Sequence, residues 1–435
     1  MVISRENCEV SMEDSVQRRL DCLSRHFSLP LEVNSDLYPG VVKGGQGKHE
    51  EADPVVIGGM VLDIHATPSI PTNPRTTSPG KVKYELGGVA RNIAECMSKL
   101  GTNPYMISSL GTDMAGNLLL EYWHSSGLST EGIKKHHDIR TPVITNVFDT
   151  HGEVLAGVAD VEAVEKFLTP QWILQFERNI SSASVLLVDA NLSLHALEAS
   201  CQVARKYNIP VWFEPVSVAK SARIASIVNN VTFVSPNEDE LIAMANALSG
   251  ATIFHPIKRK GDKHCSTESL FEILKPAILV LLEKGIETVV ATLGADGVFL
   301  CSKEPSITRM SLERAKRRGF SGQLYDTIAS SCPSSNLSSG VWIKGSSHIF
   351  AVHFPAVPAS VVRLTGAGDC LVGGTLASLC SGLDIMQSVA VGIAVAKSAV
   401  EAETNVPSAF SLSSITEDAR LVYSSSKLLV NQSRL

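Results

Sequence analysis

Short runs of continuous apolar residues recur along this chain, and they constrain its fold more than any other feature. Strands that are buried on both faces have this pattern, whereas strands with one wet face alternate between apolar and polar residues. Segments of helical spacing separate the runs. The runs are 55–57, 105–107, 185–188, 211–213, 231–234 and 288–291, and the segments include 193–207, 221–229, 237–247 and 270–284. This order predicts an α/β fold with a mostly parallel central sheet that is flanked by helices.

Polar residues follow several of the predicted strands. Asp63 comes after the first run, Glu214 after the fourth and Asn237 after the fifth. Gly294 follows the last run, whose strand is expected to end at Thr292. Because ligands of such sheets bind beyond the carboxyl ends of the strands, we expect these residues to surround one site.

The run Thr365-Gly366-Ala367-Gly368-Asp369 stands before an apolar segment of helical spacing. Small residues where a loop enters a helix leave backbone N–H groups uncovered, and the helix dipole favours an anion there. A carboxylate at this point can accept the proton of a substrate hydroxyl while the amides hold charge on a migrating phosphoryl group. A tight turn with an N-capping Asp explains the same residues without chemistry, and the run alone leaves both interpretations open.

An upstream run decides between them. It is Gly87-Gly88-Val89-Ala90-Arg91-Asn92-Ile93-Ala94, followed by Gly101 and Gly111. This spacing resembles the N-terminal signature of the pfkB (ribokinase-like) carbohydrate kinases, and the run from Thr365 to Asp369 resembles their C-terminal signature. The resemblance covers the chain from about Asp53 to Leu412.

Three further motifs of that family are present. They are an Asp after the first strand (Asp63), an N-x-x-E motif (Asn237 with Glu240) and a T-x-G-x-x-G loop (Thr292 to Gly297). The resemblance implies a ribokinase-like fold with a small β lid, ATP as phosphoryl donor and Mg²⁺ as metal ion.

The resemblance also implies a role for each matching residue. Asp369 is the expected catalytic base, with Gly366, Ala367 and Gly368 as the anion hole. The residues expected to hold the sugar are Asp63, Gly87, Gly88 and Asn92. Those expected along the nucleotide are Thr292, Gly294, Gly297 and Thr365. Asn237 and Glu240 are expected to organise water and Mg²⁺ around the phosphates.

Structural explanations exist for several of these residues. Asn92 can cap a helix, and Asp63 can belong to a turn. Asn237 and Glu240 suit the polar start of a helix, and the loop after Thr292 suits a β-turn.

The resemblance places the kinase domain at 53–412, between an N-terminal extension (1–52) and a C-terminal tail (413–435). Residues 81–86 and 142–159 alternate like strands of a small sheet and match the lid that family members close over the sugar. A peripheral hairpin without ligand contacts is the alternative. Residues 302–347 are rich in Ser and basic residues, which predicts a mobile surface insertion without chemistry.

One departure from the family concerns a cation. Many relatives have Asp-Thr before the C-terminal signature, and that Asp helps to hold an activating monovalent cation. Arg363 and Leu364 occupy these positions here. Because a guanidinium repels a cation, we expect no strong activation by K⁺.

Composition limits the partners. The net charge is −6 and no long basic face is present, which argues against a nucleic-acid partner. No run of about 18 apolar residues and no secretory leader are present, so we expect no membrane partner. The nine cysteines lack zinc spacing and are expected to be reduced thiols.

Both ends of the chain carry motifs that resemble import signals for the same organelle, the peroxisome. Ser433-Arg434-Leu435 is a conservative variant of the peroxisomal S-K-L tripeptide, and Arg19-Leu20 with His26-Phe27 resembles the peroxisomal nonapeptide. An ordinary amphipathic segment also explains the second motif. We expect recognition by the peroxisomal import receptor, with the cytoplasm as the alternative location.

Three local features resemble the pseudouridine kinases within the family. They are the run 87–92, the lid sequence 145–160 and the residue other than Asp before the C-terminal signature. This resemblance implies phosphorylation of the 5′-hydroxyl of pseudouridine by ATP. A kinase for adenosine, inosine, ribose or fructose remains an alternative, as does a noncatalytic regulatory protein, although the intact Asp369 argues against the latter. A homodimer through the lids is also left open.

Overall fold

The computed structural model describes residues 54–72, 75–150, 154–257, 266–303, 312, 319–333 and 349–429. The strands are β1 (Val55–Ile57), β2 (Val61–Pro68), β3 (Gly80–Gly87), β4 (Tyr105–Gly111), β5 (Ile133–His136), β6 (Val143–Phe148), β7 (Val154–Asp160), β8 (Leu186–Asp189), β9 (Val211–Glu214), β10 (Phe233–Val234), β11 (Thr288–Thr292), β12 (Val298–Ser302), β13 (Phe350–Phe354) and β14 (Lys427–Leu428).

The α-helices are α1 (Val89–Lys99), α2 (Met114–Ser125), α3 (Glu162–Phe167), α4 (Pro170–Leu174), α5 (Glu177–Ser182), α6 (Leu194–Lys206), α7 (Val218–Ser221), α8 (Glu238–Ser249), α9 (Thr267–Glu283), α10 (Phe320–Ser331), α11 (Ala367–Cys380), α12 (Ile385–Val400) and α13 (Leu412–Ser424). No helix in these described ranges is long and apolar enough to cross a membrane.

The central sheet has ten strands in the order β14-β13-β12-β11-β10-β9-β8-β1-β4-β5. All neighbours from β11 to β5 run parallel, and β12, β13 and β14 add to the β11 edge as antiparallel strands. The predicted mostly parallel sheet is therefore confirmed. Its carboxyl ends meet at one edge, where ligands of such sheets bind.

Both faces of this sheet are buried, as the continuous apolar runs predict. In β1, Val56 packs into a cluster with α1, α11, α12 and α13, whereas Val55 and Ile57 pack into a second cluster with α6, α8 and α9. The alternation follows from the two-residue period of a strand. Helices therefore cover the sheet on both sides, and its strands are fixed at the edge that carries the polar residues.

A second sheet of four strands, in the order β3-β2-β6-β7, forms the lid. Three residues separate its strand β2 from β1, and β2 pairs along its whole length with β3. We expected lid strands only near 81–86 and 142–159, so β2 corrects that expectation. Asp63 lies within β2 and pairs with Glu85, and it is therefore a residue of the lid sheet rather than of a turn.

Other elements differ from the sequence predictions in detail. The helix expected at 221–229 is short α7 followed by two 3₁₀ turns, Ala222–Ser226 and Val228–Asn230. The insertion 302–347 is not simply a surface loop, because it contains α10, whose Leu324 and Ile328 are buried. These side chains have helical spacing, which the many serines obscured.

Several predictions lie outside the described residues. These are the N-terminal extension, both peroxisomal motifs, the lid-turn residues 151–153 and most of the insertion. They remain predictions.

Candidate active site

A cavity of about 1040 Å³ lies between the lid and the carboxyl edge of the central sheet. All four lid strands contribute to its wall, and Phe148 of β6 and Ala159 of β7 are among the lining residues. The opposite wall includes Asn191 after β8 and Val216 after β9. The lid strands therefore line the cavity, and their contact with a ligand stays a prediction.

Five sequence-predicted site residues line this cavity. They are Asp63, Gly88, Asn92, Thr365 and Asp369. The two family signatures thus meet in space although they are far apart in the chain.

Asp369 lies in the first turn of α11. Its carboxylate oxygen Oδ2 accepts a hydrogen bond from Asn92 Nδ2 at 2.7 Å. The surrounding protein raises the pKa of Asp369 to about 6: burial is the main cause, the Asp189 and Asp63 charges act in the same direction, and the Asn92 hydrogen bond and Arg91 charge oppose them. A carboxylate with this pKa is ionised near neutral pH and is a stronger base than an ordinary Asp.

Two glycines shape the helix ends at the cavity. Gly88 caps α1 with φ of 99°, and an added Cβ would lie 2.4 Å from the Gly59 carbonyl oxygen. Gly366 caps α11 with φ of 84°, and its added Cβ would lie 2.3 Å from the Asn405 carbonyl oxygen. Both positions require glycine. Because Gly366 has no side chain to bond the first turn of α11, this helix presents backbone N–H groups beside Asp369.

Asp63 faces Asp369 from the lid sheet, and burial raises its pKa. Asn405 Nδ2 donates to Asp63 Oδ2 at 3.4 Å and to the Leu86 carbonyl oxygen at 3.1 Å. Gly87 ends β3 so close to Asp63 that an added Cβ would lie 2.1 Å from Oδ2. The space beside this carboxylate is thus fixed by the backbone.

Asn405 itself carries an unsatisfied acceptor. It is 2% exposed, and its Oδ1 has no hydrogen-bond partner among the described residues. A buried polar atom without a partner at a cavity wall suits a ligand hydroxyl. Sequence reasoning missed Asn405 because it lies in a loop between α12 and α13 without a recognisable motif.

Arg363 occupies the position that raised doubt about a monovalent cation. Its guanidinium forms an ion pair with Glu85 of β3 and donates to the Glu403 carbonyl oxygen at 2.7 Å. The side chain is 15% exposed and lines the cavity. A fixed positive charge therefore lies at this wall.

Asn237 and Glu240 form a capping box at the start of α8. Each side chain accepts a hydrogen bond at 2.9 Å from the backbone N–H of the other residue. Asn237 also bridges to Thr292, so these parts of the predicted metal and nucleotide sites are adjacent. The helix-cap alternative is thus present, and it leaves one carboxylate oxygen of Glu240 and one lone pair of the Asn237 amide oxygen to accept hydrogen bonds from water.

These oxygen atoms of Asn237 and Glu240 fit Mg²⁺ that is held through water. Mg²⁺ prefers oxygen ligands and keeps several waters beside substrate phosphates. The described residues contain no group of three or more His, Cys, Asp or Glu side chains that could hold a metal ion alone. Glu214 lies near both Glu240 and Asp369, and burial raises its pKa well above the ordinary value, with those two charges adding to the effect. Glu214 accepts a hydrogen bond from Ser235.

The T-x-G-x-x-G loop joins the antiparallel strands β11 and β12 and does not line the cavity. Gly294 starts a short 3₁₀ turn, and an added Cβ there would meet no atom within 4 Å. An added Cβ on Gly297 would lie 2.0 Å from the Phe354 carbonyl oxygen. The turn alternative therefore explains Gly297 by packing, whereas Gly294 has open space beside it.

Comparison with known proteins bears on the family resemblance. A sequence model for the pfkB family carbohydrate kinase matches residues 52–329 and 338–408. The chain belongs to the pfkB family. The identification drawn from its two signatures is confirmed.

Named relatives of this pfkB protein include two pseudouridine kinases. One, from Arabidopsis thaliana, is 54% identical over 384 residues, which are 88% of this chain and all of that protein. The other, from Escherichia coli K12, is 26% identical over 56% of this chain and 71% of that protein.

Solved pfkB structures have the same fold. The ribokinase of Arabidopsis thaliana, complexed with ribose and ATP, has a TM-score of 0.61 at 18% identity and covers 85% of this chain and 98% of that chain. The ribokinase of Cryptococcus neoformans, complexed with ADP, has a TM-score of 0.59 at 19% identity and covers 84% and 99%. The predicted ribokinase-like fold is confirmed.

Proposed function

We propose that this protein is an ATP-dependent pseudouridine kinase, which phosphorylates the 5′-hydroxyl of its substrate. The observation that carries the substrate is the 54% identity to the Arabidopsis pseudouridine kinase, all of which this chain covers. The fold alone does not select an acceptor, because kinases of this fold act on different sugars and nucleosides.

Asp369 is the proposed base. Above about pH 6 its carboxylate is ionised, so it accepts the proton of the 5′-hydroxyl. The 5′-oxygen then forms a bond to the γ-phosphorus, the bond between that phosphorus and the β,γ-bridging oxygen breaks, and ADP leaves. The hydrogen bond from Asn92 holds the carboxylate in place during this transfer.

The N-terminus of α11 is the proposed anion hole. The Ala367 N–H donates to the Leu364 carbonyl oxygen at 3.3 Å, whereas the N–H groups of Gly368 and Asp369 have no acceptor within a regular helix, and the helix dipole adds a partial positive charge. They would stabilise charge on the migrating phosphoryl group. Asn237 and Glu240 would hold Mg²⁺ through water, and the metal ion neutralises phosphate charge when it is bound.

The sugar is proposed to bind at Asp63, Gly88 and Asn405. The Asp63 carboxylate accepts hydrogen bonds from hydroxyls, and the unsatisfied Oδ1 of Asn405 can accept another. The lid residues above this position exclude water, which otherwise competes with the substrate hydroxyl for the phosphoryl group.

The test is ADP release from Mg·ATP with pseudouridine, uridine, adenosine, inosine, ribose and fructose as separate acceptors. We expect preference for pseudouridine. Asp369→Asn is expected to lower kcat by about 10²- to 10⁴-fold, which is the range that general-base catalysis contributes. Phosphorus NMR of the product identifies the 5′-ester.

Asp326→Asn is the matched control. Asp326 is exposed on α10 and does not line the cavity. This variant should retain wild-type turnover. Preference for another acceptor would discard the substrate assignment, and equal turnover by wild type and Asp369→Asn would discard the base.

A further inference from the structure

Arg91 of α1 is buried beside the proposed base. It is 2% exposed and belongs to the N-terminal signature, yet the family resemblance gave it no role. Its Nη1 donates to Asn92 Oδ1 at 2.7 Å and to the Leu86 carbonyl oxygen at 2.5 Å. Arg91 therefore touches both the amide that holds Asp369 and the end of lid strand β3.

The contact with Arg91 determines which way the Asn92 amide points. A guanidinium only donates hydrogen bonds, so the atom that faces it must be the amide oxygen. The amide nitrogen is then directed at the other neighbour, and it donates to Asp369 Oδ2 at 2.7 Å. If the amide turned over, two donors would face each other at Arg91 and two acceptors at Asp369.

The guanidinium itself is held by a second layer of side chains. Its Nη2 pairs with Glu95, which is 3% exposed. Glu95 also accepts a hydrogen bond from Tyr122 at 2.7 Å and pairs with Lys99 at 2.6 Å. A buried charge is tolerated when it is paired in this way, and the pairing leaves Arg91 little freedom to move.

Charged groups face Asp369 from every element around it. Carboxylates approach from the lid at Asp63, from the end of β8 at Asp189 and from the end of β9 at Glu214, whereas the Arg91 charge approaches from α1. Asp189 and Asp63 oppose ionisation of Asp369, and both the Arg91 charge and the Asn92 donor favour it.

We propose that Arg91 is a positioning residue for catalysis: it fixes the Asn92 amide in the one orientation that donates to Asp369. The proposal rests on the proposed function only in taking Asp369 as the base, and it holds for any acceptor. Without Arg91, only Asp369 itself orients the amide, so its donor is held less firmly, and Asp369 also loses a neighbouring positive charge. A purely structural arginine would affect folding but not the ionisation of Asp369.

The test compares Arg91→Met with wild type in the pH dependence of kcat, using whichever acceptor the wild type phosphorylates. We expect the acid limb of the profile to move up by about 0.5 to 1 pH unit, because the charged form of Asp369 is less stabilised. We also expect kcat on the plateau to fall about tenfold through misplacement of the carboxylate. Arg91→Lys keeps a charge that reaches one acceptor rather than three. Its acid limb and its kcat should lie between those of wild type and Arg91→Met.

Arg223→Met is the matched control. Arg223 also binds two carbonyl oxygens, of Ala190 and Leu192, and pairs with Glu165, but these contacts do not include Asn92 or Asp369. It should lower the melting temperature without moving the acid limb. An acid limb unchanged in both Arg91 variants, or moved equally by Arg223→Met, would overturn the proposal.

A second readout needs no turnover. The melting temperature difference between a protein and its Asp369→Asn version, followed against pH, reports the folded-state pKa of Asp369. In every background the difference should begin to grow near the unfolded pKa, and in Arg91→Met or Arg91→Lys it should continue to grow to a higher pH than in wild type. The result stands even if pseudouridine is not the substrate, whereas identical curves in all backgrounds would reject a positioning role.

Discussion

The guanidinium of Arg363 is paired with the carboxylate of Glu85 across the cavity wall. Arg363 precedes the loop that leads into α11, and Glu85 belongs to lid strand β3. The same guanidinium donates to the Glu403 carbonyl oxygen at 2.7 Å. It therefore connects the lid, the loop before the base and the loop after α12.

This arrangement predicts indifference to monovalent cations. A carbonyl oxygen that accepts from a guanidinium is not free to bind K⁺, and the fixed charge repels the ion. Initial rates of ADP release in equal concentrations of KCl, NaCl and tetramethylammonium chloride should agree within about twofold. Strong activation by K⁺ at constant ionic strength would show that the cation site is elsewhere.

Asp369 is predicted to reduce stability while it enables catalysis. Its folded pKa of about 6 lies above the ordinary Asp value of 3.8. The ionised carboxylate therefore destabilises the fold above about pH 6, and this effect disappears as pH falls through 6 towards 3.8. At about pH 8, Asp369→Asn should raise the free energy of unfolding by about 1 to 3 kcal/mol, a range that allows for solvent at the cavity.

Urea titrations of wild type and Asp369→Asn across this pH range measure the effect. Groups common to both proteins cancel in the difference, so the remaining pH dependence belongs to Asp369. A difference that does not grow between about pH 4 and pH 6 would mean that the Asp369 pKa is not raised.

Two glycines at the start of α11 should respond in opposite ways to substitution by Ala. Gly366→Ala brings Cβ to 2.3 Å from the Asn405 carbonyl oxygen at φ of 84°, so we expect a loss of about 1 to 3 kcal/mol in stability. Gly368→Ala meets no atom within 4 Å and should keep or raise the melting temperature, since Ala favours helix.

Gly368→Ala should nevertheless lower kcat/KM for ATP by about tenfold or more, because its methyl group would occupy the space beside the anion-binding amides. The melting temperature and ATP kinetics of the two variants separate these effects. Full ATP efficiency in Gly368→Ala would remove Gly368 from the anion hole.

Asp63 is predicted to act on the acceptor and not on ATP. Asp63→Asn should raise KM for pseudouridine about 10- to 100-fold, the value of a hydrogen bond to a charged group, with KM for ATP within about twofold of wild type. Asp326→Asn again serves as the control. If both KM values rose together, Asp63 would be supporting the lid as a whole instead of contacting the sugar.

The central sheet was predictable because short continuous apolar runs between helices have few interpretations other than buried strands in an α/β protein. Strand β2 was missed because its sequence mixes Asp63 and His65 with apolar residues and so lacks a continuous apolar run. Its partner β3 also lies beyond an intervening loop. Local pattern does not reveal such a partner.

The site was predictable where a motif marks it. Asp369 and Asn92 were both selected from sequence, and they are in contact. Arg91 had a weaker signal, since Arg91, Glu95 and Lys99 are spaced four residues apart and form ion pairs along one helix face.

Val216 had no signal in the sequence. Its φ of 66° and the 2.7 Å bond from Ser217 N to the Pro215 carbonyl oxygen define a strained turn at the cavity. Such a conformation is imposed by tertiary packing.

The contact between Asn92 and Asp369 spans 277 residues of chain, which has a consequence for synthesis. A ribosome adds roughly 5 to 20 residues each second, so about 14 to 55 s separate the appearance of the two side chains. During that time β1 can already pair with β4 and β8, whereas the α11 end of the site does not yet exist. The nascent chain can therefore begin to form its central sheet long before its site is complete enough to consume ATP.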